Sequence, residues 1–209
     1  MNTALDPLYA IIDVDAADRA GWRPIDLTRA FLNGGARFLQ LRAKSMASGP
    51  LLDLAAAVVE LAHAAGAVVI VNDRADIAQL AGADGVHVGQ DDQPVGAVRE
   101  QVGPDVLIGL STHSPAQFEA ALGSEADQLS VGPVWETPTK AGRPAAGLDY
   151  VRYAAEHGGD APWFAIGGID AGNAREVVRA GARRIVVVRA IRDAADPERA
   201  AAELRGLLG

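Results

Sequence analysis

The chain has 209 residues, 49% hydrophobic and 22% charged, with a formal charge of -8 and a pI near 4.9. That length suits one large domain with its own core and leaves little for further modules, and the composition excludes wholesale disorder. The acidic balance argues against sequence-independent nucleic-acid binding, which needs a basic face, and the absence of cysteine removes disulfides and thiolate-based zinc or redox chemistry.

The start, MNTALDPLYAIIDVD, lacks a basic segment followed by an apolar one, and no apolar run approaches the roughly 18 residues of a membrane span. A cytoplasmic protein with no membrane partner is expected. The first strand is LYAIID from Leu8, and the second, RFLQLRA from Arg37, ends in QLRAK. Gln40, Arg42 and Lys44 fall at alternate positions, which puts two cations beside an amide on one side of an extended chain. A phosphate-bearing substrate explains them, and so does a solvated strand end.

LLDLAAAVVELAHAAG from Leu51 has the three- and four-residue apolar spacing of an amphipathic helix and ends near glycine. The third strand, VVIVND from Val68, delivers Asn72 and Asp73, with Asp76 where a helix begins; Asp73 is placed to cap that helix. The fourth, GVHVG from Gly85, is followed by Asp91 and Asp92. Carboxylates from neighbouring strands repel unless a cation lies between them, and such a set suits Mg²⁺ that also binds substrate phosphates. Taken without the other motifs, Asp91 and Asp92 read better as a surface turn. His87, within the strand, reads as a hydrogen-bonded structural residue, and His63 and His157, near helix ends, as surface residues.

The fifth strand, VLIGLS from Val106, brings Ser111, Thr112 and His113 to the same rim. No G-x-S-x-G elbow surrounds Ser111, so hydrogen bonding to a polar substrate fits better than nucleophilic catalysis. The sixth, QLSVGP from Gln128, leads into VWETPTKAGRPAAGL, a connection interrupted by Pro138 and Pro144. WFAIGG from Trp163 ends in Gly167 and Gly168, which suit either a phosphate or close packing. AGNAREVVRAGA from Ala171 reads as a helix, IVVVRA from Ile185 as the eighth strand ending at Arg189, and PERAAAELRGLLG as the last helix.

Eight strands alternating with helices predict a single (β/α)8 TIM barrel over residues 1–209, with an open doubly wound sheet as the alternative. Barrel chemistry sits at the carboxyl ends of the strands. Two anion sites on that face, one metal-assisted near strands two to four and one near strands seven and eight, predict a diphosphate substrate on one side and a monophosphate on the other. Exposed outer helices leave room for a homo-oligomer, although no apolar patch specifies its mode.

Taken in order, QLRAK, VNDR, GVHVGQDD, GLSTH, GPVWETPTK, AIGGI and VVVRAI resemble the thiamine phosphate synthases, barrel transferases that join the two halves of thiamine. The resemblance spans almost the whole chain. It implies a Mg²⁺-dependent reaction in which the ring nitrogen of a thiazole phosphate displaces pyrophosphate from 4-amino-5-hydroxymethyl-2-methylpyrimidine diphosphate. It further implies that Gln40, Arg42, Lys44, Asn72, Ser111 and Lys140 hold the pyrimidine diphosphate, with Arg42, Lys44, Ser111 and Lys140 serving catalysis. Asp73 and Asp92 would bind Mg²⁺, and Thr137, Thr139, Gly168, Val188 and Arg189 the thiazole phosphate. Two positions depart from the family pattern: Arg189 stands where the family usually has serine, and Trp135 where it has phenylalanine or tyrosine. A thiazole tautomerase-like isomerase and a non-catalytic barrel that binds thiamine precursors are the competing readings.

Overall fold

The computed structural model describes residues 5–137 and 144–209. Eight strands, β1 (Leu8–Asp13), β2 (Phe38–Arg42), β3 (Val68–Asn72), β4 (Gly85–Val88), β5 (Leu107–Thr112), β6 (Gln128–Val131), β7 (Trp163–Ile166) and β8 (Ile185–Val187), pair in parallel and close into a barrel, β8 returning to β1. The (β/α)8 architecture is therefore observed, and the open sheet is excluded.

The connections differ in detail from the sequence reading. Two helices, α1 (Val14–Arg19) and α2 (Pro24–Asn33), fill the first crossover, and α3 (Ser48–Ala64) starts ahead of Leu51. The helices α4 (Ala75–Ala81), α5 (Val95–Val102), α6 (Pro115–Leu122) and α7 (Gly147–His157) follow β3, β4, β5 and β6 in turn. The helix α8 (Ala174–Arg179) is shorter than AGNAREVVRAGA suggests, and β8 leads to the short α9 (Arg189–Arg192) and then α10 (Pro197–Gly206). Asp196 caps α10 by accepting from the Arg199 backbone N–H, with Pro197 at the first turn where its missing N–H costs nothing. Among the described residues no helix is long and apolar enough to cross a membrane.

Both faces of nearly every strand are buried, because helices cover the outside and the barrel encloses the inside; this is why the strands read as continuous apolar runs rather than alternating ones. The outward residues Leu8, Ala10 and Ile12 of β1 join the core beneath the helices, whereas Tyr9, Phe38, Ile70, Phe164 and Val186 form a separate core inside the barrel. There the Tyr9 and Phe38 ring centroids lie 4.2 Å apart, Phe164 lies 5.3 Å from Tyr9 and 5.4 Å from Phe38, and the three rings plug the axis. At Gly85 the absent side chain leaves the space that Ile70 Cδ1 occupies.

Phe38→Ala should lower the unfolding free energy by about 3–5 kcal/mol, since it leaves a cavity between two rings that cannot collapse onto it. Leu80→Ala, at a position 71% exposed, should stay within about 0.5 kcal/mol. Urea titration of both variants checks the pair.

Candidate active site

Above the aromatic plug, the inward residues at the carboxyl ends of the strands and the loops that follow enclose a cavity of about 350 Å³. Gln40, Arg42, Lys44, Asn72, Asp73, Asp92, Ser111, Thr137, Gly168, Val188 and Arg189 all line it. Thr139 and Lys140 lie outside the described residues. Asp76 and Asp91 are not part of the lining; Asp76 is held outside by the fork of Arg74, at 2.8 and 2.6 Å.

Lys44, two residues past the end of β2, makes an ion pair with Asp73. Asp73 does not cap α4 as its sequence position suggests: the N-cap is Arg74, with no side-chain cap hydrogen bond, and Asp73 adopts a left-handed backbone with φ 61°. That turn carries its carboxylate into the cavity. Burial raises the pKa of the Asp73 carboxyl, the Lys44 ammonium pulls it back, and the neighbouring Asp92 carboxylate raises it again. Asp92 is held in turn by the Gly89 backbone N–H, at 2.8 Å, and a Cβ at Gly89 would stand only 2.9 Å from its Oδ2. The two carboxylates from adjacent loops thus share one space. Among the described residues no cluster of three or more His, Cys, Asp or Glu side chains is placed to hold a metal.

Arg42 is ion-paired through Nη1 with Asp13 Oδ2. Asp13, at the end of β1, is 3% exposed, and its other oxygen accepts from the Ala16 backbone N–H at 3.0 Å, capping α1. Sequence reasoning misses this residue because a carboxylate closing an apolar run looks like an ordinary strand end. Asp15 completes the anchorage: it accepts from the Lys44 backbone N–H at 3.0 Å and from the Ser45 hydroxyl, and the latter bond is the main reason its pKa is lowered.

The polar floor of the cavity is made by strand residues. Gln40 Nε2 donates to the buried Tyr9 hydroxyl at 2.7 Å, and burial pushes that phenol well above its ordinary pKa. His87 Nε2 lies 2.9 Å from Ser111 Oγ, and its Nδ1 lies 3.1 Å from Gln128 Nε2. Thr112 departs from the expectation that it shares the rim with Ser111 and His113. Strand alternation turns it outward, where it donates to the Ser130 carbonyl at 2.9 Å and accepts from Tyr150 of α7 at 2.6 Å. His113 does line the cavity, with Nδ1 donating to the Gly132 carbonyl at 2.6 Å.

On the opposite side, the loop from β6 runs against the end of β7: Val134 N–H donates to the Ile166 carbonyl at 2.8 Å and Trp135 N–H to the Gly167 carbonyl at 3.1 Å. A Cβ at Gly167 would lie 2.5 Å from Pro133 Cβ, and one at Gly168 2.8 Å from Trp135 Cβ; both glycines have positive φ. Close packing of the two loops therefore requires them, and that packing carries Thr137 to the cavity. Arg189 lines the same side, while Arg192 is occupied by Asp193, with contacts of 2.6 and 2.8 Å.

A family model described as thiamine monophosphate synthase matches residues 8–191. The thiamine-phosphate synthase of Thermus thermophilus is 53% identical over 205 residues, covering 96% of each chain. That of Acidothermus cellulolyticus is 52% identical over 209 residues, covering 100% of this chain and 98% of its own. Among solved structures, the thiamine phosphate pyrophosphorylase of Pyrococcus furiosus superposes with a TM-score of 0.88 at 32% identity, covering 97% of this chain and 95% of its own.

Asp13→Asn keeps an acceptor for the α1 cap but leaves the Arg42 guanidinium, whose side chain is 17% exposed, without its counter-charge. The change should cost about 3 kcal/mol of stability, measured by chemical denaturation. A loss below about 0.5 kcal/mol would contradict a structural role for the pair.

Proposed function

The chain belongs to the thiamine monophosphate synthase family, and on that premise we propose how its cavity performs the transfer that the family name denotes. The protein is a transferase that condenses 4-amino-5-hydroxymethyl-2-methylpyrimidine diphosphate with thiazole phosphate, giving thiamine phosphate and pyrophosphate. The observation that supports the detailed reading is the division of one cavity into two halves. Arg42, Lys44, Asp73 and Asp92 come from the ends of β2 to β4, and Thr137, Gly168, Val188 and Arg189 from those of β6 to β8, across the barrel.

In the first half, Arg42 and Lys44 take the diphosphate, with Lys140 of the loop after β6 as the third cation. Asp73 and Asp92 fit a Mg²⁺ ion: they face one space, each raises the cost of the other's charge, and this ion needs only one or two carboxylates when substrate phosphates supply further oxygens. When bound, Mg²⁺ neutralises charge on the diphosphate and so makes pyrophosphate a better leaving group. Lys44 and Arg42 act in the same sense on the oxygens that gain charge as the carbon–oxygen bond lengthens. The aminopyrimidine shares positive charge at its exocyclic carbon, which favours a dissociative, carbocation-like displacement. Gln40, Asn72 and Ser111 hold the ring while this happens.

The second half positions the nucleophile. Thr137, Thr139, Gly168, Val188 and Arg189 hold the thiazole phosphate so that its ring nitrogen faces the exocyclic carbon. That nitrogen has no proton to lose, so attack requires orientation rather than a general base. The guanidinium of Arg189 adds a bidentate donor where the family usually has a hydroxyl. The same reading assigns the protein to the cytosol. A thiazole tautomerase would have no use for the diphosphate half, which favours the transferase over that isomerase.

Purified protein given both substrates and Mg²⁺ should release thiamine phosphate and pyrophosphate in equal amounts; folded protein that binds them without turnover would instead be a silent barrel. Asp92→Asn should lower turnover by about 100-fold and shift the Mg²⁺ titration to higher concentration. An unchanged titration would remove Asp92 from the metal site. Arg189→Ser should raise KM for thiazole phosphate about tenfold and leave KM for the diphosphate unchanged; equal shifts in both would contradict its placement.

A further inference from the structure

We propose that Gln128 and His87 are positioning residues whose hydrogen-bond relay fixes the Ser111 hydroxyl as a proton donor into the cavity, where it meets a ring-nitrogen lone pair of the aminopyrimidine. The proposal rests on the assignment of the pyrimidine diphosphate to this half of the cavity and goes beyond it, because neither residue is needed to account for the charges of the site.

The relay is built across three strands. In the sheet register His87 of β4 pairs with Gly109 of β5, and Gly109 pairs with Gln128 of β6. The side chains of His87 and Gln128 meet over Gly109: a Cβ there would land on Gln128 Nε2 and His87 Nδ1 together. The glycine is thus the opening through which the two strands exchange a hydrogen bond. An alanine would fill the space and part them.

The chemistry of the contact sets its direction. Gln128 Nε2 can only donate, so the His87 Nδ1 that faces it at 3.1 Å is the acceptor and carries no proton. The ring proton of neutral His87 is then on Nε2, which donates to Ser111 Oγ at 2.9 Å. A hydroxyl that accepts from the imidazole retains its own proton to give, and Ser111 lines the cavity. Turning the Gln128 amide over would reverse every step, but it would leave a buried NH₂ group with no acceptor. The observed orientation leaves only the amide carbonyl Oε1 without a partner, and an under-satisfied carbonyl is tolerated more readily than an orphaned N–H. The buried orphan oxygen is the structural mark of that choice. Ser111 is held from its backbone as well, its carbonyl accepting from Gln90 Nε2 at 2.7 Å.

Both ring nitrogens of a neutral aminopyrimidine are acceptors, so a fixed donor is the complement that this substrate needs. A hydroxyl free to rotate offers a lone pair as readily as a proton and loses that discrimination.

The test removes the relay. Gln128→Met keeps nearly the same volume but takes away the donor to His87 Nδ1, so the ring tautomer and the direction of the Ser111 hydroxyl are no longer fixed. It should lower kcat/KM for the pyrimidine diphosphate about tenfold while leaving KM for thiazole phosphate unchanged. In a Ser111→Ala background the same substitution should cost nothing further, since Gln128 acts through that hydroxyl. Full activity of Gln128→Met, or losses that multiply with Ser111→Ala, would overturn the proposal. Should the methionine variant fail to fold, the tautomer decides the matter in the unmodified protein: long-range ¹⁵N correlation of the imidazole should show His87 protonated on Nε2, and protonation on Nδ1 would refute the relay. Wild-type turnover of the two substrates tests the functional assignment itself, and the tautomer is read whether or not that turnover is found.

Discussion

Closure of the sheet governs everything above it. Once β8 returns to β1, every second strand residue must point at a common axis, and the space there is limited. Tyr9, Phe38 and Phe164 fill the lower part with three rings in mutual contact, so the layer above them rests on a floor that does not yield. On that floor the inward positions are Gln40, His87, Ser111, Gln128 and Ser130, and the glycines between them decide which pairs can touch. The site is therefore the upper layer of the barrel interior and inherits its precision from the apolar layer below.

Charge is arranged by the same logic of prior pairing. The chain carries a net charge of -8 and yet must bind two phosphorylated substrates, so cations have to be concentrated locally. A desolvated cation alone in the cavity would be costly, and both cations of the β2 end have carboxylate partners: Arg42 with Asp13, Lys44 with Asp73. The two partners differ in what else they do. Asp13 also caps α1, so its place is fixed by the helix, and it orients Arg42 permanently. Asp73 sits beside Asp92 in a turn of positive φ, with its charge opposed by burial and by that neighbour and supported by Lys44.

Much of this is legible in the sequence because strand spacing and strand-end residues are local signals. The eight apolar runs are the eight strands, and Gln40, Arg42, Asn72, Asp73 and Ser111 stand at the carboxyl ends where a parallel barrel puts its chemistry. What the sequence hides is tertiary. Asp73 reads as a cap because a carboxylate before a helix often is one, but its left-handed backbone points it elsewhere. Thr112 reads as a neighbour of Ser111, yet alternation sends it out to Tyr150. Asp13, Tyr9 and Gln128 carry no motif at all: their roles depend on partners in other strands, and only the register brings them together. Gly167 and Gly168 are legible as a demand for close approach, though the body approaching is the β6 loop as much as any ligand.

The proposed reaction explains why two histidines can be used as scaffolding at the centre of an active site. A nucleophile that already exposes a lone pair has no proton to surrender, so a titrating base would add nothing to the attack. The barrel is then free to commit His87 to Ser111 and Gln128, and His113 to the Gly132 carbonyl. The strand residues of this layer, held by partners on neighbouring strands, form the polar floor of the cavity, and the loops that leave the strand ends form its rim. Floor and rim follow from one architectural fact, that the strands end where the loops begin.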